Sequence, residues 1–374
     1  MKNLLLLGLS LMTLSAWAQP VMEFKAGNDT YVVEKLTDGH GIIWGVEFLD
    51  KDLIIFTEKT GRIQTLDLKT GLARLLKNLP SVYNAGQGGL LDIAVHPEFA
   101  QNSYVYVSYA KKLTTGGQTT AVARARLDVN EGRFEKWEDI FVARPAFSTA
   151  HHYGSRIVFD KAGYIYFGVG ERGQAELSQK LNAHNGKIIR LFDDGRVPQD
   201  NPFIGTPEAL PEIWSYGHRN PQGLFYDKKT DTLYEQEHGP KGGDEINLIV
   251  KGKNYGWPVI TYGREYSGGQ VGRGETARPG MEQPLKYFVP SIAPSSFMIY
   301  RGNKLKLFTD KFVSGALALQ HLNLVAMKDV ATACEDRLLV GLNERIRDVK
   351  QGPDGLVYVS SDNGRIYRIR AGSL

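Results

Sequence analysis

The chain repeats itself, and that limits its architecture more than any other feature. A unit built as an apolar-x-apolar strand, a short polar turn and an aromatic-rich strand begins near Gly45 (GVEFLDKDLIIFTEKTGRIQTLDL). It returns at Leu91, Arg156, Gly223 and Arg347, with a degenerate copy near Lys306. Self-similar β-rich units spaced along one chain build blades or coils, because no single unit can bury its own apolar face. Six copies, each of a size to supply a four-stranded sheet, predict an all-β, six-bladed β-propeller. The final segment should complete a blade with the first strand of the mature chain. A two-domain β-sandwich is the structural alternative. The 18 tyrosines and 16 phenylalanines suit strands. The 41 glycines are scattered, with no Gly-X-Y period. The spacing of the units is uneven, which implies long loops on one face, where function concentrates.

Lys2 precedes the run LLLLGLSLMTLSAWA, which closes on Ala16-Trp17-Ala18 before Gln19-Pro20. This is the pattern of a secretory signal cleaved near Ala18. Residues 1–18 are therefore expected to be a signal peptide, and 19–374 a single catalytic propeller in the periplasm or outside the cell. No later run is apolar enough to span a membrane. Cys334 is the sole cysteine. An intramolecular disulfide and a cysteine-based zinc site are both excluded. The formal charge of +4 has no dense basic stripe behind it, so nucleic acid is not an expected partner. A monomer or a homodimer fits equally.

Five segments carry candidate chemistry. In Glu237-His238-Gly239-Pro240-Lys241-Gly242-Gly243-Asp244-Glu245, a Gly-Pro turn offers fixed backbone carbonyls beside carboxylates, a donor set for a hard cation such as calcium. A polar turn capped by Asp244 is the plain alternative. Arg219-Asn220 precedes Pro221, which holds its backbone extended. A guanidinium beside an amide can bind planar oxygen acceptors, or form a surface salt bridge. His151-His152-Tyr153-Gly154-Ser155-Arg156 offers a base, though an isolated histidine is more often structural. Gln87 lies between glycines in NAGQGGLL, which is not a phosphate loop because no Lys-Ser/Thr follows. Arg345 and Arg347 alternate along a strand and so share a side, as an anion site or a solvated edge. Each segment is expected at a strand end in a different repeat, converging on the propeller's channel.

In this order the segments resemble the soluble quinoprotein sugar dehydrogenases. The resemblance runs from about Ile42 to Ile369 and is carried by GQGGLLDIAVHPEF, HHYGSRIVFD, SYGHRNPQGL and EHGPKGGDEINLI with GKNYGWP. It implies a six-bladed propeller that binds pyrroloquinoline quinone (PQQ) and Ca2+. It implies oxidation of the anomeric hydroxyl of an aldose to a lactone, with electrons passed to an external acceptor. His152 matches the family's base. Arg219 matches a catalytic and cofactor-contacting position, and Gln87, Asn220, Arg345 and Arg347 match further cofactor contacts. Gly239 and Pro240 match carbonyl ligands of the cofactor's calcium, and Asp244 a carboxylate near the site. Glu245, Tyr255 and Tyr266 resemble ligands of an additional calcium. The strand around Val313–Leu317 lacks a lysine of the glucose-oxidising branch, and the compact region before Pro290 is nearer the aldose branch. Two rivals share the propeller: a calcium-dependent lactonase and a non-enzymatic exported binding protein.

Overall fold

The computed structural model describes residues 18–372, so all but the last residue of the expected signal segment lies outside the described residues. Its strands form six antiparallel sheets. Blade one holds Ile43–Phe48, Leu53–Glu58, Arg62–Asp67 and Ala73–Leu75. Blade two runs from Leu90–Val95 through Tyr104–Lys112 to Gln118–Asp128, whose outer edge pairs with both Arg133–Phe134 and Glu138–Val142. Blades three, four and five begin with Ile157–Phe159, Pro221–Asp227 and Pro294–Ile299.

Blade six joins the chain's two ends. Ile346–Gln351, Val357–Ser361 and Ile366–Ala371 are continued by Asp29–Thr37 and then Gln19–Ala26. Val33 stands opposite Ile369 in that junction. The closure expected from sequence is present, made by two N-terminal strands. One boundary differs. The fifth unit starts at Pro294, a full strand before Lys306, and Lys306–Phe308 is a turn of 3₁₀ helix. The run PSSFMI carries no turn residues of the kind that mark the other units, so the repeat registers only at its second strand.

Alternation along the strands gives every blade two apolar faces, and each neighbouring pair of blades encloses its own core. Ile55, Ile63, Leu90 and Val107 fill the space between blades one and two. Ile157, Phe167, Tyr106 and Phe141 fill the next. The ring closes through Val46, Phe56, Tyr358 and Ile366. Each side chain fully buried this way stabilises by about 1.5–3 kcal/mol. Chain length is thus spent on six similar interfaces around an axis, and the innermost strands are left to line a channel.

No described helix is long and apolar enough to cross a membrane.

Candidate active site

The segments that enter the innermost strands lie at one mouth of this channel. Gln87 precedes Leu90–Val95, His152 precedes Ile157–Phe159, Arg219-Asn220 precedes Pro221–Asp227 and Arg345 precedes Ile346–Gln351. The Gly239–Asp244 turn joins the second and third strands of blade four. It shares a blade with Arg219-Asn220, so the expectation of one segment per repeat is corrected. Inner-strand entries and the next hairpin of the same blade open on the same end, and two segments can therefore come from one blade.

A pocket of about 390 Å³ occupies this mouth, lined by Lys59, Gln87, His238, Arg345, Arg347 and Asp362 over Trp44 and Tyr153. That volume is within the range of small-molecule sites. Arg345 Nε and Arg347 Nε lie 2.7 and 2.8 Å from the two oxygens of Asp362. Burial alone would raise this carboxyl, but Arg347 and Arg345 outweigh it and hold it below the usual range. Burial and Arg347 lower the Lys59 ammonium. Three cations thus face one carboxylate.

His152 stands at the rim. Its backbone N–H donates to Gln87 Oε1 at 2.8 Å, and its Nδ1 is hydrogen-bonded to Glu171 Oε1. That bond assigns the proton to Nδ1 and leaves the Nε2 lone pair outward. Burial lowers the imidazole's pKa, Arg219 adds to this, and Glu171 acts in the other direction. The ring is consequently a neutral base at pH 7. The residue has φ +55°. Arg172 holds this loop: its guanidinium donates to the carbonyls of Thr149 and His151 and lies 3.5 Å from the Tyr153 ring centroid. Thr149 Oγ1 donates back to Arg172 O at 2.6 Å. Gly170 permits the contact, since a Cβ there would lie 2.0 Å from His152 O.

The backbone amides of Arg219 and Asn220 donate to Glu237 Oε2 at 2.5 and 3.1 Å. Asn220 Oδ1 accepts from Gly154 N at 3.1 Å and so ties blade four to the His152 loop. Arg219 Nη1 donates to Gly239 O at 2.8 Å. His238 is held near pKa 3 by burial and then by Arg219, and its Nε2 is 2.7 Å from Pro294 O. Asp244 is spent on structure. Its Oδ1 accepts from Gly239 N, and its Oδ2 from Ser291 Oγ, Ile292 N and Ala293 N. Burial pushes its pKa up to about 6. Glu245 and Tyr255 line a small cavity of about 10 Å³ with Glu237, Gly239 and Thr261. Tyr266 is not among its walls and is 71% exposed.

Beneath the pocket Arg156 closes the channel, with Nη1 2.5 Å from Asp92 Oδ1 and 3.3 Å from Asp348 Oδ1. A larger cavity of about 820 Å³ lies at the opposite mouth. Its walls include Phe48, Phe159 and Phe225, and it lacks the histidine–carboxylate pair and the arginine pair. The histidine–carboxylate pair and the arginine pair both lie at the first mouth. Sequence reasoning missed Lys59, Glu171, Arg172, His238 and Asp362 there.

The glucose/sorbosone dehydrogenase family matches residues 40–368, and the chain belongs to that family. It is an oxidoreductase. It is 38% identical over 349 residues to the aldose sugar dehydrogenase YliI of Escherichia coli, covering 92% of each chain. It is 28% identical to quinoprotein glucose dehydrogenase B of Acinetobacter calcoaceticus, covering 96% of this chain and 92% of the other. Among solved structures, the PQQ-bound aldose sugar dehydrogenase of Streptomyces coelicolor superposes with a TM-score of 0.76 at 26% identity, covering 91% of this chain and 98% of that one.

Proposed function

We propose that the protein is an exported, PQQ- and calcium-dependent aldose sugar dehydrogenase, active in the periplasm or outside the cell. It oxidises the anomeric hydroxyl to a lactone and passes electrons to an external acceptor. The observation that carries this reading is the placement of the His152–Glu171 pair, through Gln87, at the rim of a pocket whose cations outnumber its carboxylates. A rigid, flat tricarboxylate such as PQQ fits that charge balance and the aromatic floor of Trp44 and Tyr153. When bound, the quinone supplies a hydride acceptor and its calcium a Lewis acid.

The chain's own residues do the rest. Arg345 and Arg347 orient the carboxylates, with Asp362 fixing both guanidinium planes. Gln87 and Asn220 position polar edges of the ring system. His152 Nε2 takes the proton of the substrate hydroxyl, and Glu171 stabilises the imidazolium that forms. Arg219 stabilises negative charge that develops on oxygen. Gly239 and Pro240 would present carbonyls to the cofactor's calcium. Gly239 O also accepts from Arg219, and its second lone pair could serve the cation. Glu245 and Tyr255, which wall one small cavity, would hold the additional calcium. Tyr266 would have to approach from its exposed position.

In the reconstituted enzyme His152→Ala lowers kcat by about 10²–10⁴-fold, the range of a general base. Chelation lowers activity and calcium restores it. Near-normal turnover by His152→Ala would remove the residue from the mechanism, and full activity after exhaustive chelation would remove the calcium. Neither rival has use for the arginine pair.

A further inference from the structure

Between blades three and four lies a second polar cluster, next to the site and outside the pocket. Glu235 and Glu237 are two apart on one strand and so face the same way. Across the sheet Asn247 stands opposite Glu235, and Glu245 opposite Glu237. His218 enters from the segment before blade four, its ring stacked on Tyr255 at 4.7 Å. Ligand atoms of His218, Glu235 and Glu237 lie within 4.8 Å of one another. His218, Glu235 and Asn247 are wholly buried, and Glu237 is 4% exposed.

The charges in this cluster do not balance. Among the described residues, the only ion-pair partner of Glu235, Glu237 or Glu245 is His218, beside Glu237. Glu237 is well provided: its Oε2 takes the Arg219 and Asn220 amides and its Oε1 faces His218 Nδ1 at 3.2 Å. Glu235 is not. Its Oε2 accepts from Asn247 Nδ2 at 3.1 Å, but its Oε1 has no partner, and Asn247 Oδ1 has none either. Buried carboxylates in folded proteins are paired or bound to metal, and a missing ion or water is one explanation of an orphaned buried oxygen.

We propose that His218, Glu235, Glu237 and Asn247 bind a divalent transition-metal ion of the manganese–zinc kind, distinct from the calcium of the cofactor. Calcium takes oxygen ligands, whereas an imidazole among carboxylates suits manganese or zinc. Ligand atoms up to 4.8 Å apart can all reach one ion at the 2.0–2.2 Å typical of nitrogen and carboxylate ligands, after slight contraction. The ion would fix Glu237, and Glu237 holds the amides of Arg219 and Asn220. It would therefore stiffen the segment that faces the active site without entering it.

The test does not depend on the quinone. The full chain is stripped with EDTA, dialysed against Mn2+ or Zn2+ with excess Ca2+ present, and its bound metal counted by elemental mass spectrometry beside a thermal melt. The proposal expects one equivalent of transition metal and a Tm rise of at least about 3 °C. Glu235→Gln loses both. Should Glu235→Gln fail to fold, Co2+ replaces the test metal. Visible absorption bands of a nitrogen-ligated Co2+ should appear in the wild type and vanish in His218→Gln. A wild type that takes up no transition metal, or a Glu235→Gln or His218→Gln protein that binds it as the wild type does, overturns the proposal.

Discussion

His152 has a left-handed backbone angle, φ +55°, of a kind that costs a non-glycine residue about 1–3 kcal/mol. Its neighbours enforce it: Arg172 grips the carbonyls of Thr149 and His151 and stacks on Tyr153. Arg172→Met should lower kcat by about 10²-fold, the effect of an ångström-scale misplacement, while quinone affinity changes little. Arg172→Lys should recover part of the loss, and equal losses from both variants would contradict a positioning role. Glu171 gives a prediction with a sign. A carboxylate beside imidazole favours the charged ring, so Glu171→Gln lowers the His152 pKa further below 6.5. The acid limb of the kcat/KM profile should move to lower pH as kcat falls, and a limb that stays or rises would refute the pairing. The residues legible in the sequence were those beside glycine or proline, such as Gln87 and Asn220, or doubled along a strand, such as Arg345 and Arg347. Glu171 and Arg172 in GERG, Lys59 in TEKTG and Asp362 in SSDNG read as ordinary hairpin turns. Only knowing which end of a blade each turn occupies reveals them.

Elements matter here through what they close and how near they let backbones come. The closing blade takes strands from both ends of the chain, and Val32 and Val33 are wholly buried in it. Removing residues 19–28 takes away only the outermost strand, whereas removing 19–37 exposes the edge of Ile366–Ala371 and opens the ring. Calorimetry should show a cooperative transition for the first truncation and a broadened or absent one for the second. An unchanged melt after losing 19–37 would mean that the closure contributes little. Gly170 sits where the blade-three hairpin passes under His152. Gly170→Ala should cost about 1–3 kcal/mol through forced displacement and lower kcat with it. Blade number and closure were readable because turn chemistry recurs in five units. The fifth blade's first strand was not, since PSSFMI is bounded by a proline and an irregular connection.

Across the whole molecule, one axis serves two mouths. Arg156, with Asp92 and Asp348, divides them. Burial pushes Asp92 up to about 6 against the pull of Arg156. The two mouths are unlike: inner-strand entries deliver the histidine, the glutamine and the arginine pair to one of them. The direct test is a quinone titration. The protein is purified from a host that lacks PQQ and supplied with calcium, and PQQ is added while protein fluorescence and aldose-dependent dye reduction are followed together. Binding and activity should saturate at the same quinone concentration, and Arg347→Gln should weaken binding by about 30-fold or more, the loss expected on removing one partner of a buried charged contact. Absence of saturable binding in the wild type, or dye reduction that does not depend on added quinone, would contradict the account.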